Sequence, residues 1–212
     1  MSTPQPTGVF TEGFLIAIHA LVNIHHSIYP TVPPQGNYFE ALVEQAFRRI
    51  KKPFTLITSS ARNMSGHDLL VENKKISLKT ETGLGTNEDR LSITKLCTTE
   101  REPWDAPTLI SRVLEHLARY DIILMLRAVW RLPLVHYQLL EIPVDNLELI
   151  SSAQLHPVGR RTGRQSLGAD VILSDGRIFR VHFDGSDGKC QIRNFPVAAC
   201  AMLQEWDIKI SD

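Results

Sequence analysis

The alternation of apolar and polar residues along the chain predicts both helices and strands. Between residues 38 and 50 the apolar side chains recur every three or four positions, which is the spacing of a helix with one buried face. They are Phe39, Leu42, Val43, Ala46, Phe47 and Ile50. Residues 11–29 and 106–120 have similar patterns, with Thr11 as an N-cap and Pro107 in a first turn. Two further helices are predicted at 143–151 and 196–206.

The remaining periodic segments have the length and composition of β-strands. Strands are predicted at 54–61, 91–96, 121–129, 136–142, 169–173, 177–183 and 189–195. Residues 68–72 and 75–81 form a predicted hairpin that closes at Asn73-Lys74. Helices and strands are interspersed without repeats or a low-complexity segment. The expected fold is therefore α/β or α+β, with a mixed central sheet flanked by helices.

The composition predicts one soluble globular domain. The chain has 212 residues, of which 43% are hydrophobic and 22% charged, enough for one large core. The 23 basic and 23 acidic residues cancel, so net charge identifies no partner. Three cysteines without close spacing predict a reducing compartment rather than a disulfide framework. We find no signal peptide and no apolar run long enough to cross a membrane.

The predicted hairpin carries polar side chains on one face. Residues of a strand alternate between faces, so Ser77, Lys79 and Glu81 share one face while Leu78 points to the other, towards a core. If the hairpin closes as predicted, Asp68 lies close to Lys79 on the neighbouring strand. A carboxylate, a backbone carbonyl and a lysine would then converge.

Such a group of atoms suits metal-assisted hydrolysis of a phosphodiester. Carboxylate and carbonyl oxygens are the ligands of a hard cation such as Mg²⁺. The cation lowers the pKa of bound water and offsets the negative charge of the transition state. A lysine can orient the attacking water, help to deprotonate it, or neutralise developing charge.

The spacing Asp68-x8-Ser77-Leu78-Lys79 resembles the signature of the PD-(D/E)XK nucleases, in the serine form found in some type II restriction endonucleases. The helix start "GNYFE" before it, and the helix and apolar strand "ISRVLEHLARYDIILMLRA" after it, match the order of elements in that superfamily. The resemblance implies a restriction-endonuclease-like core that cleaves double-stranded DNA at a specific site with Mg²⁺, leaving 5′-phosphate ends. It also implies that Asp68 binds the metal, that Leu78 contributes its carbonyl oxygen, and that Lys79 is the catalytic lysine.

The chain departs from the family pattern at Ser77, where most members have a carboxylate. An acid from another position must then complete the metal site. We favour Glu40, at the edge of the apolar stripe of its helix, with Glu81 as the second choice. Glu44 and Glu72 also remain open.

A second group of candidate residues lies in the C-terminal third. Residues 156–193 contain seven lysines and arginines against four aspartates, and "GRRTGRQS" is a basic loop punctuated by glycines. Arginine pairs with guanine and glutamine with adenine in the major groove. The candidate DNA contacts are Arg160, Arg161, Arg164, Gln165, Lys189, Gln191 and Arg193. We therefore expect one nuclease domain over 1–212, with a catalytic half at about 36–142 and recognition elements mainly at 156–195.

The resemblance also implies partners and a location. A homodimer would match a palindromic site, with the first helix or the surface near Trp130 as the contact. A cognate DNA methyltransferase is expected in the same prokaryotic cytoplasm, but not as a stable partner. Two alternatives share the fold: a nicking or repair nuclease that cuts one strand, and a DNA-binding module whose serine marks a lost active site.

Overall fold

The computed structural model describes residues 4–57, 68–99, 103–159 and 163–210, and these residues form two β-sheets. The strands of the six-stranded sheet are, in spatial order, β1 (Thr55–Leu56), β2 (Leu69–Val71), β3 (Lys74–Glu81), β5 (Ile122–Arg131), β6 (Leu134–Ile142) and β11 (Ala201–Lys209). Those of the five-stranded sheet are β4 (Arg90–Thr98), β10 (Lys189–Pro196), β9 (Ile178–Phe183), β8 (Leu167–Ile172) and β7 (His156–Pro157).

The six-stranded sheet is mixed because β3 and β5 are parallel neighbours, whereas the other pairs in both sheets are antiparallel. A parallel pair needs a crossover connection. Here the crossover contains β4 and helix α3 (Ala106–Leu117). The second sheet therefore begins inside the connection between two central strands of the first.

Two apolar cores lie on opposite faces of the six-stranded sheet. Helices α1 (Glu12–Ile28) and α2 (Asn37–Arg49) cover one face, where the rings of Phe14 and Phe47 are 4.6 Å apart. The other face packs against the five-stranded sheet, α3, and the short helix α4 (Val144–Glu148), which continues into a 3-10 turn at Leu149–Ser152. Alternation along β3 follows this division, since Ile76 and Leu78 belong to the core beneath α1 and α2.

The mixed sheet flanked by helices is confirmed, as are the predicted helices near residues 12–28, 37–49, 106–117 and 144–152. Of the predicted strand 54–61, only Thr55–Leu56 is a strand in the described part, and residues 58–61 lie outside it. The prediction of a helix at 196–206 is wrong: a 3-10 turn at Val197–Ala199 leads into β11, which pairs with β6. Pairing satisfies the backbone of β6, which outweighs the helix propensity of the segment. Within the described ranges, no helix has the length and apolar character needed to cross a bilayer.

Candidate active site

The hairpin of β2 and β3 brings Asp68 next to β3, the strand that carries Ser77 and Lys79. Its turn is formed by Glu72 and Asn73, both with positive φ (48° and 64°), as in the tight turns that match the twist of paired strands. The sequence predicted the turn one residue later, at Asn73-Lys74, and that position is wrong. Asp68 therefore lies opposite Ser77 rather than Lys79. Its backbone N donates to the Ile76 carbonyl at 2.8 Å. The shift across the strand pair is two residues, so Asp68 keeps the predicted face.

The carboxylate of Asp68 is fixed against β3. Its Oδ2 accepts hydrogen bonds from the backbone N of Leu78 at 2.6 Å and from Ser77 Oγ at 3.4 Å. No described residue hydrogen-bonds to the other oxygen, Oδ1. The N–H and C=O groups of one strand residue point to the same edge. The Leu78 carbonyl therefore faces the edge on which the Asp68 carboxylate lies.

Lys79 lies half-buried between these groups and β4. Loss of solvation lowers the pKa of its ammonium group, and the positive charge of Lys95 lowers it further. The carboxylates of Asp68 and Glu40 oppose that shift, so both lie within electrostatic range of Lys79. Predicted site residues of α2 and of the start of β2 thus lie near enough to Lys79 on β3 to affect its pKa.

The structure separates the candidates for the second acid. Glu40, in the first turn of α2, is half-buried and acts on Lys79. Glu44 forms an ion pair with Arg48 at 2.6 Å one turn further along α2. Glu72 is at the opposite end of β3 from Lys79.

Glu81 shares the face of Lys79, as predicted, but its carboxylate is already engaged. Oε2 accepts from Nε of Arg127 at 2.7 Å, and Oε1 accepts from the backbone N of Ser92 at 2.9 Å. Burial raises the pKa of Glu81, while Arg127 and Ser92 lower it. Glu81 and Arg127 are direct neighbours in the register of β3 and β5. The geometry therefore does not support the assignment of Glu81 to the metal site and leaves Glu40 as the better candidate.

Helix α3 forms a wall of the site that the sequence analysis missed. The pKa of His116 is lowered to about 4, first by burial and then by the positive charges of Lys79, Arg119 and Arg112. Tyr120 follows the helix, and its buried hydroxyl has no hydrogen-bond partner among the described residues. The spacing of Arg112 and His116 places them on one side of the helix, with Arg119 in the turn that follows, and this spacing is the signal that could have indicated the wall.

The donor set fits a hard cation held partly by water and substrate. Within the described ranges, no group of three or more His, Cys, Asp or Glu side chains could hold a metal by itself. Mg²⁺ keeps several waters and takes one or two carboxylates together with substrate phosphate oxygens. Oδ1 of Asp68, the Leu78 carbonyl and the Glu40 carboxylate provide oxygen ligands of that kind.

Two of the predicted DNA contacts have half-buried side chains that are bound to other parts of the protein. The guanidinium of Arg164 stacks 4.1 Å from the ring centroid of Trp104, and its Nε donates to the Gly185 carbonyl. Nε2 of Gln165 donates to the carbonyls of Val158 and Gly159. These contacts link the described residues on either side of 160–162 to each other and to Trp104 and Gly185. Arg160 and Arg161, which belong to the basic loop, lie outside the described residues.

The other three predicted contacts lie on the outer face of the five-stranded sheet. Gln191 and Arg193 alternate with buried residues of β10, and Oε1 of Gln191 accepts from Arg193 Nε at 3.0 Å. Opposite them on β9 are His182 and Arg180. Lys189 forms a solvent-exposed ion pair with Asp187 at 2.6 Å. Arginine and glutamine side chains are therefore grouped on one accessible strand face, with the buried ring of His182 beside them.

Comparisons with known proteins identify the family. The chain matches the family model SmaI, a type II site-specific deoxyribonuclease, over residues 4–208. It is also 28% identical over 177 residues to the type II restriction enzyme SmaI of Serratia marcescens. The aligned region covers 79% of this chain and 70% of that protein. No solved structure matches the chain. Because the family model spans nearly the whole sequence, the chain belongs to the SmaI family of type II site-specific deoxyribonucleases, which are hydrolases that cleave DNA.

Proposed function

We propose that Asp68, Ser77, Leu78 and Lys79 form the catalytic site, with Glu40 as the second acid. The enzyme then uses Mg²⁺ to hydrolyse both strands of double-stranded DNA and leaves 5′-phosphate ends, as a serine variant of the PD-(D/E)XK nucleases. The observation that carries this proposal is the Asp68 carboxylate on the Leu78 backbone, next to a desolvated lysine.

Each residue has a separate part in the reaction. Bound Mg²⁺ would supply an activated water and would offset the charge of the phosphate. Asp68 and Glu40 would hold the cation, and Ser77 and the Leu78 N–H fix the Asp68 carboxylate in place. Lys79 Nζ would orient the attacking water. Its lowered pKa allows Nζ to take up the proton of that water, and the resulting ammonium stabilises the charge on the phosphate.

Substitutions at Asp68 and Lys79 test the site. Asp68→Asn and Lys79→Met should each abolish cleavage of plasmid DNA with Mg²⁺, because they remove the metal ligand and the proton acceptor. The matched controls are Asp121→Asn and Lys75→Met. Asp121 Oδ2 also accepts a backbone N–H of β3, from Lys75 at 2.8 Å, but it lies away from Lys79. Both controls should cut normally.

The outcome on plasmid DNA also separates the alternatives. Discrete linear fragments from the wild-type enzyme support cleavage of both strands, whereas nicked circles alone would favour a nicking enzyme. Near-normal cleavage by either site variant would refute the assignment of the catalytic residues. Glu40→Gln should reduce cleavage strongly at limiting Mg²⁺ and recover in part when the metal concentration is raised.

For DNA recognition, we propose that the outer face of β10 contacts the duplex. Gln191 and Arg193 are the candidates for base contacts, and Lys189 is a candidate for a phosphate contact. Arg193→Ala should weaken binding to the specific site and relax the sequence preference. Lys189→Ala should weaken specific and non-specific binding alike. Arg164 and Gln165 act indirectly in this proposal, by holding the basic loop that contains Arg160 and Arg161.

We further propose that the enzyme is a cytoplasmic homodimer, with a cognate methyltransferase in the same cell. Helix α1 supports the dimer because Ile16, Ala20, Ile24 and Ile28 form an exposed apolar stripe opposite its buried face. Burying such a stripe against a second copy removes apolar surface from water. Ile24→Lys should give a monomer in light scattering coupled to gel filtration, and an unchanged dimer would exclude this interface.

A further inference from the structure

Strand β4 contains a β-bulge beside the candidate active site. Cys97 pairs with Cys190, and Ile93 pairs with Ile192. Three residues of β4, at positions 94–96, therefore stand opposite the single residue Gln191. Bulges of this kind occur next to active sites, where they redirect a side chain.

The bulge determines where Lys95 points. In a regular strand, Lys95 would share the face of Ile93 and Cys97, which are both buried in the core between the sheets. The bulge instead turns Lys95 outward to an exposed position and turns Leu96 into the core. The bulge thus exposes a lysine at a position that a regular strand would bury.

His116 of α3 lies beside the bulge. Burial lowers the pKa of its ring, the nearby backbone of Leu96 opposes that shift, and the ring packs edge-on against Tyr120, with ring centroids 5.5 Å apart. The helix itself is anchored by Val113 and Leu117, which are fully buried in the same core as Leu96. The residue beside Lys95 is therefore fixed from the side of α3.

Lys95 is one of several cations around the catalytic lysine. It acts electrostatically on Lys79, while Arg112 of α3 and Arg119, in the turn after α3, act together with Lys79 on the ring of His116. Four positive charges lie in this region, together with the carboxylates of Asp68, Glu40 and Glu115, of which Glu115 pairs with Arg112 at 3.5 Å. Like charges brought together in a half-buried site repel one another, and several phosphate groups in a row would relieve that repulsion.

We propose that Lys95 is a DNA-binding residue that contacts a backbone phosphate next to the scissile one, and that the β4 bulge and His116 position it there. The contact joins the catalytic site on β3 to the recognition face of β10, because the bulge stands opposite Gln191. This proposal rests on the assignment of the catalytic site to Asp68 and Lys79.

The salt dependence of DNA binding tests the role of Lys95. Specific and non-specific duplexes are titrated at a series of salt concentrations without divalent cation, so that no cleavage is needed. Lys95→Gln should weaken binding to both duplexes and lower the slope of log K against log salt by about one. Lys95→Arg should retain the slope because it keeps the charge. The matched control is Lys209→Gln, an exposed strand lysine of β11 at the far edge of the six-stranded sheet.

An unchanged slope in Lys95→Gln would overturn the proposal. The same titration in the Asp68→Asn background distinguishes an error in the role of Lys95 from an error in the assignment of the catalytic site. If Asp68→Asn still cleaves, the catalytic site is wrong whatever the slope of Lys95→Gln. If Asp68→Asn is inactive and the slope is unchanged, only the role of Lys95 fails.

His116 is a positioning residue in this account, and its variant is tested through Lys95. His116→Gln should lower the slope in the otherwise native enzyme but should lower it no further in Lys95→Gln. A purely structural role would affect thermal stability and leave the slope as it is. An equal loss of slope in both backgrounds would show that His116 does not act through Lys95.

Discussion

The ion pair between Glu81 and Arg127 allows a sharp test of the site. Arg127 is 0% exposed and Glu81 15% exposed, and all the donors of Arg127 are used. Beyond Glu81, the guanidinium donates to Gln138 Oε1 at 2.5 Å and to the carbonyls of Asn87, Glu88 and Arg90. The pair therefore ties the loop between β3 and β4 to the middle of the six-stranded sheet, and Glu81 is expected to be structural.

The two substitutions have different expected costs. Arg127→Met leaves the buried Glu81 carboxylate without a counter-charge and should lower the free energy of unfolding by about 3–5 kcal/mol. Glu81→Gln replaces one acceptor oxygen by a donor, so it loses a charge-assisted bond to Arg127 or Ser92. That loss should be about 1.5–3 kcal/mol. In a chain of this size it corresponds to a decrease in Tm of roughly 3–12 °C.

Urea unfolding followed by circular dichroism, together with plasmid cleavage well below Tm, measures both properties. We expect Glu81→Gln to lose stability and to keep its cleavage rate. The double variant with Arg127→Met should lose less than the sum of the single variants, because the pair is already broken in each. If Glu81→Gln kept the stability of the wild type and lost cleavage, Glu81 would be a metal ligand and the structural interpretation would be refuted.

Three further predictions concern other parts of the molecule. Stability should fall by about 3 kcal/mol as the pH drops from about 6.5 to about 4, because the unfolded chain binds a proton that His116, with a folded pKa of about 4, does not. His116→Gln should remove this part of the pH dependence in urea titrations at each pH. Trp104→Phe removes the 2.7 Å hydrogen bond from Nε1 to the Gln165 carbonyl and should lower the free energy of unfolding by about 1 kcal/mol. Thermal unfolding measures this loss, and an unchanged Tm would exclude a stabilising role for that bond. Glu72→Asn with Asn73→Gly should stabilise the β2–β3 turn by about 1 kcal/mol, because both positions have positive φ; a lower urea midpoint would contradict this.

The sequence predicted the face of each residue in the catalytic strand better than its exact partners. Alternation correctly placed Ser77 and Lys79 on one face, since the side-chain period of a strand is fixed by its backbone. The position of the turn was missed by one residue because Glu72 adopts a left-handed conformation that glycine or asparagine usually occupies. A turn shift of one residue changes the pairing by two, which preserves the face.

Long-range partners were beyond the reach of local patterns. Arg127 interrupts an apolar run, and nothing near it in the sequence indicates that Glu81, 46 residues earlier, binds it. Gln165 was predicted to contact DNA bases, but its side-chain amide donates hydrogen bonds to backbone carbonyls, which the sequence pattern does not indicate. The segment 201–209 contains good helix formers, yet the open edge of β6 makes it a strand.

The crossover between β3 and β5 has a consequence for the order of events during synthesis. β4 carries Lys95 and lines the site, but its sheet partner β10 follows much later in the chain: Thr99 Oγ1 donates to the carbonyl of Gly188, 89 residues further on. Contacts of such separation form late, because a long loop must be closed first. We therefore expect the candidate site to assemble only after most of the polypeptide has left the ribosome. An unfinished chain should then not cleave DNA, and nuclease activity should appear only once β10 has been made.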